Sequence, residues 1–494
     1  MNLLNKPESK YWVMVGLLMI VAAGLRFYHL DFNNFWIDEI WTVYFANLDP
    51  LTQLPQLLND PSPPLFYLVE HLVAITLGDG YFALRLLPCI FGILSVPLMY
   101  LVGREAVDRN VGLIAAGLLT FSLFHIHYSQ EARMYSLMLL FLLAALYFYF
   151  KALKSNRDNY APWIYFTIFA ALTLWTHYYV GLIFILCFLN AVLVKAKDIK
   201  NDWKEIIPIV GAGVALFGLT WPLIRLALIF FGAKTATIPI WGLSGFDVIV
   251  YTFYELGNNV WAVMLILLVL VSTGIYRLQQ QGNLTGQFLG LCIFFPTLVA
   301  MALSDIMPTT TRYLFFIMPF FFIAISSNYR WLEGRFTPRQ ALHIVIGVGL
   351  LLCVISVPAY HLYYTEQTKY NWEGFMEGLA EITDDGDIVL LVPSGFELIF
   401  NYYYYDNVTD KTLLLASHNV TELDAIKAMK DNNTIYLFTF YNGTFVEEGE
   451  TDPRVKAKVG YKLDKWVQEN ARYHKTIGQE VQMYKYQKFY LYTV

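Results

Sequence analysis

The chain has 494 residues, 57% of them hydrophobic and only 15% charged, with a mean hydropathy of +0.47. That balance excludes a soluble globule of this size and predicts a polytopic membrane protein. A net charge of −5 provides no basic footprint for nucleic acid, and the four cysteines, Cys89, Cys187, Cys292 and Cys353, all sit in apolar runs, where they act as small buried side chains rather than metal ligands or redox pairs.

A helix needs roughly 17 to 25 apolar residues to cross the hydrocarbon core of a bilayer. Eleven stretches qualify, near 11–28, 84–103, 111–127, 133–151, 161–177, 178–194, 206–230, 259–276, 287–303, 312–328 and 340–360, the fifth and sixth parted only by a tight aromatic turn. The first follows two lysines without a small-residue cleavage site, so it reads as an uncleaved helix. With the N-terminus cytoplasmic, the inside connections hold fifteen basic residues: Lys6, Lys10, Arg104, Arg109, Lys151, Lys154, Arg157, Lys195, Lys197, Lys200, Lys204, Arg277, Arg330, Arg335 and Arg339. The opposite connections hold little beyond Lys234, with Arg85, Arg133 and Arg312 at helix mouths. An odd number of spans leaves the C-terminus outside. The expected organisation is a multi-pass protein of the cell membrane, all-α across 1–360, with a first outer loop over 29–83 and an extracytoplasmic domain over 361–494.

The first outer loop is too long for a plain connection. "IWTVYFANL" and "PPLFYLVEHLVAITLG" are predicted as helices along the outer interface, with Pro61, Pro63 and Pro64 marking a break and a helix start. In "FWIDEIW" (35–41), Asp38 and Glu39 stand among aromatic and aliphatic neighbours, where a carboxylate costs several kcal/mol to desolvate unless it is paired or used. Taken alone, the pair also fits a solvated helix end flanked by interfacial tryptophans.

Further along, "HIHYSQEARMY" (125–135) gathers His125, His127, Gln130, Glu131 and Arg133 where one helix ends and the next begins. "THYY" (176–179) holds His177 and Tyr178, and "PTTTRY" (308–313) holds Arg312 and Tyr313. Each has an ordinary reading: a local Glu131–Arg133 ion pair, an Arg312 that snorkels to headgroups, a hydrogen-bonding interfacial His177. On the predicted topology all of them fall on one side, and a single external pocket accounts for them together. Arginine forks with His and Tyr donors suit a phosphate, an acidic pair suits a general base, and apolar walls suit a lipid tail. The loop over 231–258, with Gly232, Gly242 and Gly245, reads as a lid or as a connector carrying an interfacial helix.

Beyond the last apolar run, "GDIVLLV" (386–392), "KTLLLA" (411–416) and "TIYLFTF" (434–440) are predicted strands and "TELDAIKAMKD" (421–431) an amphipathic helix, which together predict a small α/β domain with a partly parallel sheet. Sequons beginning at Asn407, Asn419, Asn432 and Asn442 are compatible with an outside location.

The order "DE", "PPLFYL", "FALRLLPCIFGILSVPLMYLVGRE", "HYSQEARMYSL", "WTHYYVGLIF" and "RYLFFIMPF" resembles the bacterial and archaeal branch of the protein O-mannosyltransferase and lipid A aminoarabinose transferase superfamily, of GT-C fold, over roughly residues 10 to 330. "YSQEARMY" combined with "THYY" is the specific part. The resemblance implies an inverting glycosyltransferase that moves a monosaccharide from a polyprenyl-phosphate donor to a hydroxyl acceptor on the outer side of the membrane. It implies Asp38 as base with Glu39 as positioning partner, and Arg133 and Arg312 near the donor phosphate with Tyr313, His177 and Tyr178. Ser62, His127, Gln130 and Glu131 complete the candidate substrate-binding set. Many relatives carry His or Lys before the Pro-Pro pair; this chain has Ser62, a neutral hydroxyl, which alters how a phosphate is held there. No Gly-rich phosphate loop indicates a nucleotide, and a divalent cation at the acidic pair is an open expectation.

Other classes predict other features. A transporter or flippase for a lipid-linked substrate places its polar groups near the bilayer midplane, often on repeated units, and no repeat is detectable here. An oligosaccharyltransferase shares the fold class, yet its Trp-Trp-Asp-Tyr-Gly motif is not in the C-terminal region. A signalling or scaffold protein leaves Asp38 unexplained.

Overall fold

A computed structural model describes residues 7–53, 62–235, 242–281, 284–367, 369, 371–384, 387–392, 397–403, 412–415, 424, 434–439, 466, 469, 472–477 and 489–493. The four sequon asparagines, Pro61 and all of 421–431 but Asp424 lie outside these residues. The chain divides into two compact units: Met1–Leu30 with Phe45–Thr365, and Asp31–Tyr44 with Glu366–Val494. The segment carrying Asp38 and Glu39 therefore clusters with the C-terminal residues and not with the helices that flank it in sequence.

The first unit is helical. Its elements include α1 (Pro7–Phe27), α2 (Ile37–Ala46, whose last residues alone belong here), α3 (Leu65–Leu77), α4 (Tyr81–Ala106), α5 (Arg109–Thr120), α6 (Leu123–Ser129), α7 (Tyr135–Lys154), α8 (Ala161–Leu174), α9 (Gly181–Val194), α10 (Ile207–Thr235), α11 (Phe246–Leu256), α12 (Trp261–Gln280), α13 (Leu284–Leu303), α14 (Met318–Ser326) and α15 (Pro338–Thr365). Among the described residues, eight helical stretches are long and apolar enough to cross a membrane, and nine if the bent pair α5 and α6 counts as one span. The other two of the eleven expected spans are the short apolar helices Ala161–Leu174 and Tyr178–Val194. They are short because the intervening "THY" leaves the α-helix, His177 being extended at φ −158° and Tyr178–Val180 forming a 3-10 turn.

Burial grades the helices by position. The stretch Thr311–Glu333 is 94% buried, whereas Glu8–Phe27 and Pro338–Thr365 are each 17% buried. A helix apolar on all sides belongs at the centre of a bundle, and "FFIMPFFFIAIS" is that helix. Outward-facing Leu17, Ile20, Leu350 and Val354 on the peripheral helices give the apolar outer surface that a hydrocarbon solvent requires. Helices α4 and α5 meet backbone to backbone: a Cβ on Gly103 would lie 2.6 Å from the Gly112 Cα. Only glycine allows that approach.

The bend between α5 and α6, 62°, frees backbone groups inside the bundle, and side chains from three other places take them up. Arg26 of α1, fully buried, donates from Nη2 to the Leu119 carbonyl (3.2 Å) and from Nη1 to that of Thr120 (3.4 Å), and its Nη2 meets His125 Nδ1 at 2.6 Å. Asn258 accepts from the Leu123 amide through Oδ1 (2.8 Å) and donates to the Phe121 carbonyl through Nδ2 (3.4 Å). Tyr360 of α15 also donates to the Phe121 carbonyl. Ser122 caps α6, accepting from the His125 amide at 3.3 Å.

The second unit contains α16 (Trp372–Ile382), α17 (Glu397–Tyr403) and a five-stranded sheet of β1 (Ile388–Val392), β2 (Thr412–Leu415), β3 (Ile435–Thr439), β4 (Arg472–Ile477) and β5 (Phe489–Thr493), in the order β2-β1-β3-β5-β4. Strand β1 pairs in parallel with β2 and β3, Ile388 standing opposite both Thr412 and Ile435. Strand β5 then closes the sheet antiparallel to β3 and β4. The three expected strands form the parallel part, and β4 and β5 are additions. Trp372, Phe375, Phe400 and Phe438 pack edge and face against one another under the sheet.

Replacing Arg26 with Leu should strand the Thr120 carbonyl and His125 Nδ1 in an apolar bundle, at a cost of roughly 1–3 kcal/mol for each polar group left bare. The apparent melting temperature in detergent is expected to fall by several degrees, and Arg26→Lys, which keeps the charge without the planar fork, to recover only part of it. An unshifted transition in Arg26→Leu would show that the bend does not depend on Arg26.

Candidate active site

In the helical unit, the turn from α6 into α7 is held from both sides. Gln130 donates through Nε2 to the carbonyls of Arg26 (2.9 Å) and Tyr28 (2.7 Å) and accepts from the Tyr363 hydroxyl at Oε1 (2.7 Å). Ser136 Oγ donates to the Tyr128 carbonyl at 2.7 Å, and the Arg133 amide to that of Glu131 at 2.7 Å. Gln130 is thus committed to the α1 and α15 ends, while Glu131 and Arg133 are presented by a rigid hairpin.

Arg133, 6% exposed, donates from Nη1 to the Tyr67 hydroxyl at 3.2 Å. Tyr67 belongs to α3, whose start is tied to the "THYY" turn: the Leu65 amide donates to the Trp175 carbonyl at 3.2 Å. His177, 4% exposed, follows two residues later and stands 5.8 Å from the Tyr135 ring and 6.2 Å from that of Tyr313. Tyr313 stacks on Tyr179 at 5.2 Å, and the Arg312 guanidinium lies 5.7 Å from the Tyr313 ring. Three motifs far apart in sequence therefore share one neighbourhood: "SQEAR", "THYY" and "TRY". His127 lies 3.9 Å from Glu131, Nε2 to Oε1. Tyr178 is half-buried on the 3-10 turn, and Ser62 half-buried just before Pro63 and α3.

Burial keeps His177 neutral, pushing its imidazole down to about 3, with Arg133 and Arg312 adding to the effect. Its Nδ1 has no hydrogen-bond partner among the described residues. A neutral imidazole within electrostatic reach of two guanidinium groups offers a hydrogen bond without adding a third positive charge.

Two buried carboxylates and one tyrosine join this picture that sequence reasoning passed over. Glu255, on α11, has its carboxyl pushed up to about 7 by burial, with Thr311 and Arg312 pulling it down and Glu131 pushing it up, so it lies within electrostatic reach of all three. Its Oε2 has no hydrogen-bond partner among the described residues. Glu70, on α3 one turn beyond Tyr67, is fully buried with neither carboxylate oxygen hydrogen-bonded among the described residues. The available signal was a lone acid inside an apolar helix face, in "FDVIVYTFYEL" and "LFYLVEHLVAITL", where a charge is expensive. The region before α11, expected as a lid or connector, is docked where described. The Leu243 amide donates to the Thr309 carbonyl at 2.7 Å, and Gly242, at φ +99°, passes so close that a Cβ would meet Thr309 O at 2.6 Å.

The second unit holds the acidic pair. Helix α2 begins after Trp36 with Asp38 and Glu39 in its first turn, where the positive helix end favours carboxylates. The two diverge. Glu39 is fully buried; its Oε2 accepts from Lys369 Nζ at 2.6 Å and from the Trp36 amide at 3.4 Å. Asp38 is half-buried on the adjacent face, and its carbonyl accepts from the Thr42 hydroxyl at 3.4 Å. Glu39 already holds the ammonium of Lys369, so its carboxylate is not a bare donor for a divalent ion. Among the described residues, no group of three or more His, Cys, Asp or Glu could hold a metal.

Residues 60–225 match the family described as dolichyl-phosphate-mannose-protein mannosyltransferase. No curated protein matches the sequence. Among solved structures, ArnT from Cupriavidus metallidurans bound to undecaprenyl phosphate superposes with a TM-score of 0.57 at 9% identity, covering 99% of this chain and 98% of that one. The Archaeoglobus fulgidus oligosaccharyltransferase AglB, in complex with an inhibitory peptide and a dolichol-phosphate, superposes with a TM-score of 0.53 at 11% identity, covering 87% of this chain and 70% of that one. A form of the Archaeoglobus enzyme with zinc and sulfate reaches 0.51 at 11% identity, covering 86% and 67%. This multi-pass membrane protein is therefore similar over residues 60–225 to that mannosyltransferase family, and it shares its fold with the ArnT and AglB structures.

Proposed function

We propose that the protein is an inverting glycosyltransferase that takes a monosaccharide from a polyprenyl-phosphate donor and gives it to a hydroxyl acceptor on the outer side of the membrane. The observation that carries this reading is the buried pair Arg133 and Arg312, both within electrostatic reach of a neutral His177, with Tyr67 on Arg133 and Tyr135 and Tyr313 near His177. Two guanidinium groups withheld from bulk water suit a phosphate, whose oxygens accept their paired N–H bonds. Carriers of that chemistry are bound by the ArnT and AglB structures, as undecaprenyl phosphate and dolichol-phosphate.

In this mechanism Asp38 accepts the proton of the acceptor hydroxyl as its oxygen attacks the anomeric carbon. The bond from that carbon to the phosphate oxygen breaks, and its electron pair leaves with the polyprenyl phosphate. One displacement inverts the anomeric centre. Arg133 and Arg312 stabilise the charge that develops on the leaving phosphate, and the tyrosines and His177 supply neutral donors. Late proton removal contributes about 10² to 10⁴-fold, and the remainder comes from holding donor and acceptor in line. Ser62, without a charge before the Pro-Pro pair, leaves phosphate binding resting on the two arginines.

Glycans from cells carrying or lacking the gene, compared by mass spectrometry, are expected to differ by one sugar, which names both donor and acceptor. Asp38→Asn should fail to restore that sugar while expressing and folding as the wild type does; restoration at near-normal levels would remove Asp38 from the mechanism. Arg312→Ala should weaken binding of undecaprenyl phosphate to purified protein by roughly 10- to 100-fold, the worth of a charge-assisted hydrogen bond. Unaltered affinity would count against an arginine clamp at that position.

Acid stability offers a check on His177. Its folded value near 3 lies below the unfolded value of about 6.5, so its contribution is complete above pH 6.5 and is lost as pH falls toward 3. His177→Asn should therefore lose less melting temperature than the wild type between about pH 6.5 and 4. Parallel curves would mean that the imidazole is not held neutral.

A further inference from the structure

We propose that Lys369, just beyond the last apolar helix, is a positioning residue for the candidate base, acting through Glu39 on the first turn of α2. The inference rests on the reading of Asp38 as base. Its basis is a set of ties within the second unit that converge on Phe35, Trp36 and Glu39. Lys369 and Glu39, 330 residues apart, form an ion pair at 2.6 Å with side chains 4% and 0% exposed. The same Glu39 Oε2 reaches back to the Trp36 amide at 3.4 Å, the reciprocal half of a capping box with Glu at the third helical position. One residue earlier, the Phe35 carbonyl accepts from the Tyr403 hydroxyl at 3.1 Å, and the Phe35 ring lies 5.8 Å from that of Tyr402.

These ties explain why Asp31–Tyr44 clusters with the C-terminal residues. They also divide the labour of the acidic pair. A buried ion pair adds little net stability, because desolvating both charges offsets most of their attraction; what it does well is select one geometry. Here that geometry is the register and orientation of Trp36–Ile40, the turn that carries Asp38 on its other face. The C-terminal residues thereby set the direction of a side chain encoded near the N-terminus. Glu39 is occupied by this task and is not a second base.

The test compares Lys369→Met and Lys369→Arg in the full-length protein by three measurements: hydrogen exchange of amides in 36–42, sugar transfer in complemented deletion cells, and binding of undecaprenyl phosphate to purified protein. For Lys369→Met, faster exchange in 36–42 is expected with β1 and β3 still protected. Transfer should drop by on the order of a hundredfold, the cost of misplacing a reacting group by about 1 Å, with lipid phosphate affinity unchanged. Lys369→Arg, which keeps the charge, should retain most of the transfer. Wild-type protection and transfer in Lys369→Met would overturn the proposal, and so would loss of protection spreading through β1 and β3, which marks a purely structural pair. If cells with and without the gene show identical glycans, the glycosyltransferase reading fails, while the exchange measurement still decides whether Lys369 holds α2.

Discussion

A helix broken inside an apolar bundle must find partners for the amides and carbonyls that the break releases, and the remainder of the helical unit is arranged around that requirement. At the bend between α5 and α6, Arg26, Asn258 and Tyr360 supply those partners from three other elements. Leaving even one such group bare in hydrocarbon costs more than most single contacts return. The bend turns α6 so that its C-terminal end delivers "SQEAR" as a hairpin, which Gln130 then pins to the ends of α1 and α15. Arg26 and Gln130 thus serve the site without belonging to its chemistry: they fix the backbone from which Glu131 and Arg133 project.

The charges in that neighbourhood are balanced by burial and by one another. Arg133 and Arg312 bring two positive charges, and burial keeps His177 from adding a third. Glu131 and Glu255 bring negative charge within reach of Arg312, and burial above all, with Glu131 adding to it, pushes the Glu255 carboxyl up to about 7. The guanidinium groups retain N–H donors for an anion. The tyrosines extend the donor set without a charge to desolvate.

The fold resemblance to ArnT runs over nearly the whole of both chains at 9% identity, while the family match is confined to residues 60–225. That contrast has a physical basis. Helix packing in a membrane asks only for apolar surfaces, small residues at close crossings such as Gly103 with Gly112, and partners for every polar group. Many sequences meet those terms. The matched segment carries the Pro-Pro start of α3 and the "SQEAR" and "THYY" turns, where backbone leaves the helix and side-chain identity decides what can be held.

The sequence by itself determined the membrane class, all eleven apolar helical segments, the parallel strands near 388, 412 and 435, and the motifs that carry the candidate site. These follow from local quantities: apolar length, turn chemistry and the cost of a charge in an apolar run. Only the tertiary structure decided where the chain leaves the helix between α8 and the segment Tyr178–Val194, with His177 extended and Tyr178–Val180 in a 3-10 turn. It also decided that β4 and β5 join the sheet, that Glu70 and Glu255 are buried acids, that Tyr67 holds Arg133, and that Glu39 belongs to Lys369. Each of these is a pairing between residues distant in the chain, and no periodicity or spacing encodes which distant partner a buried charge will find.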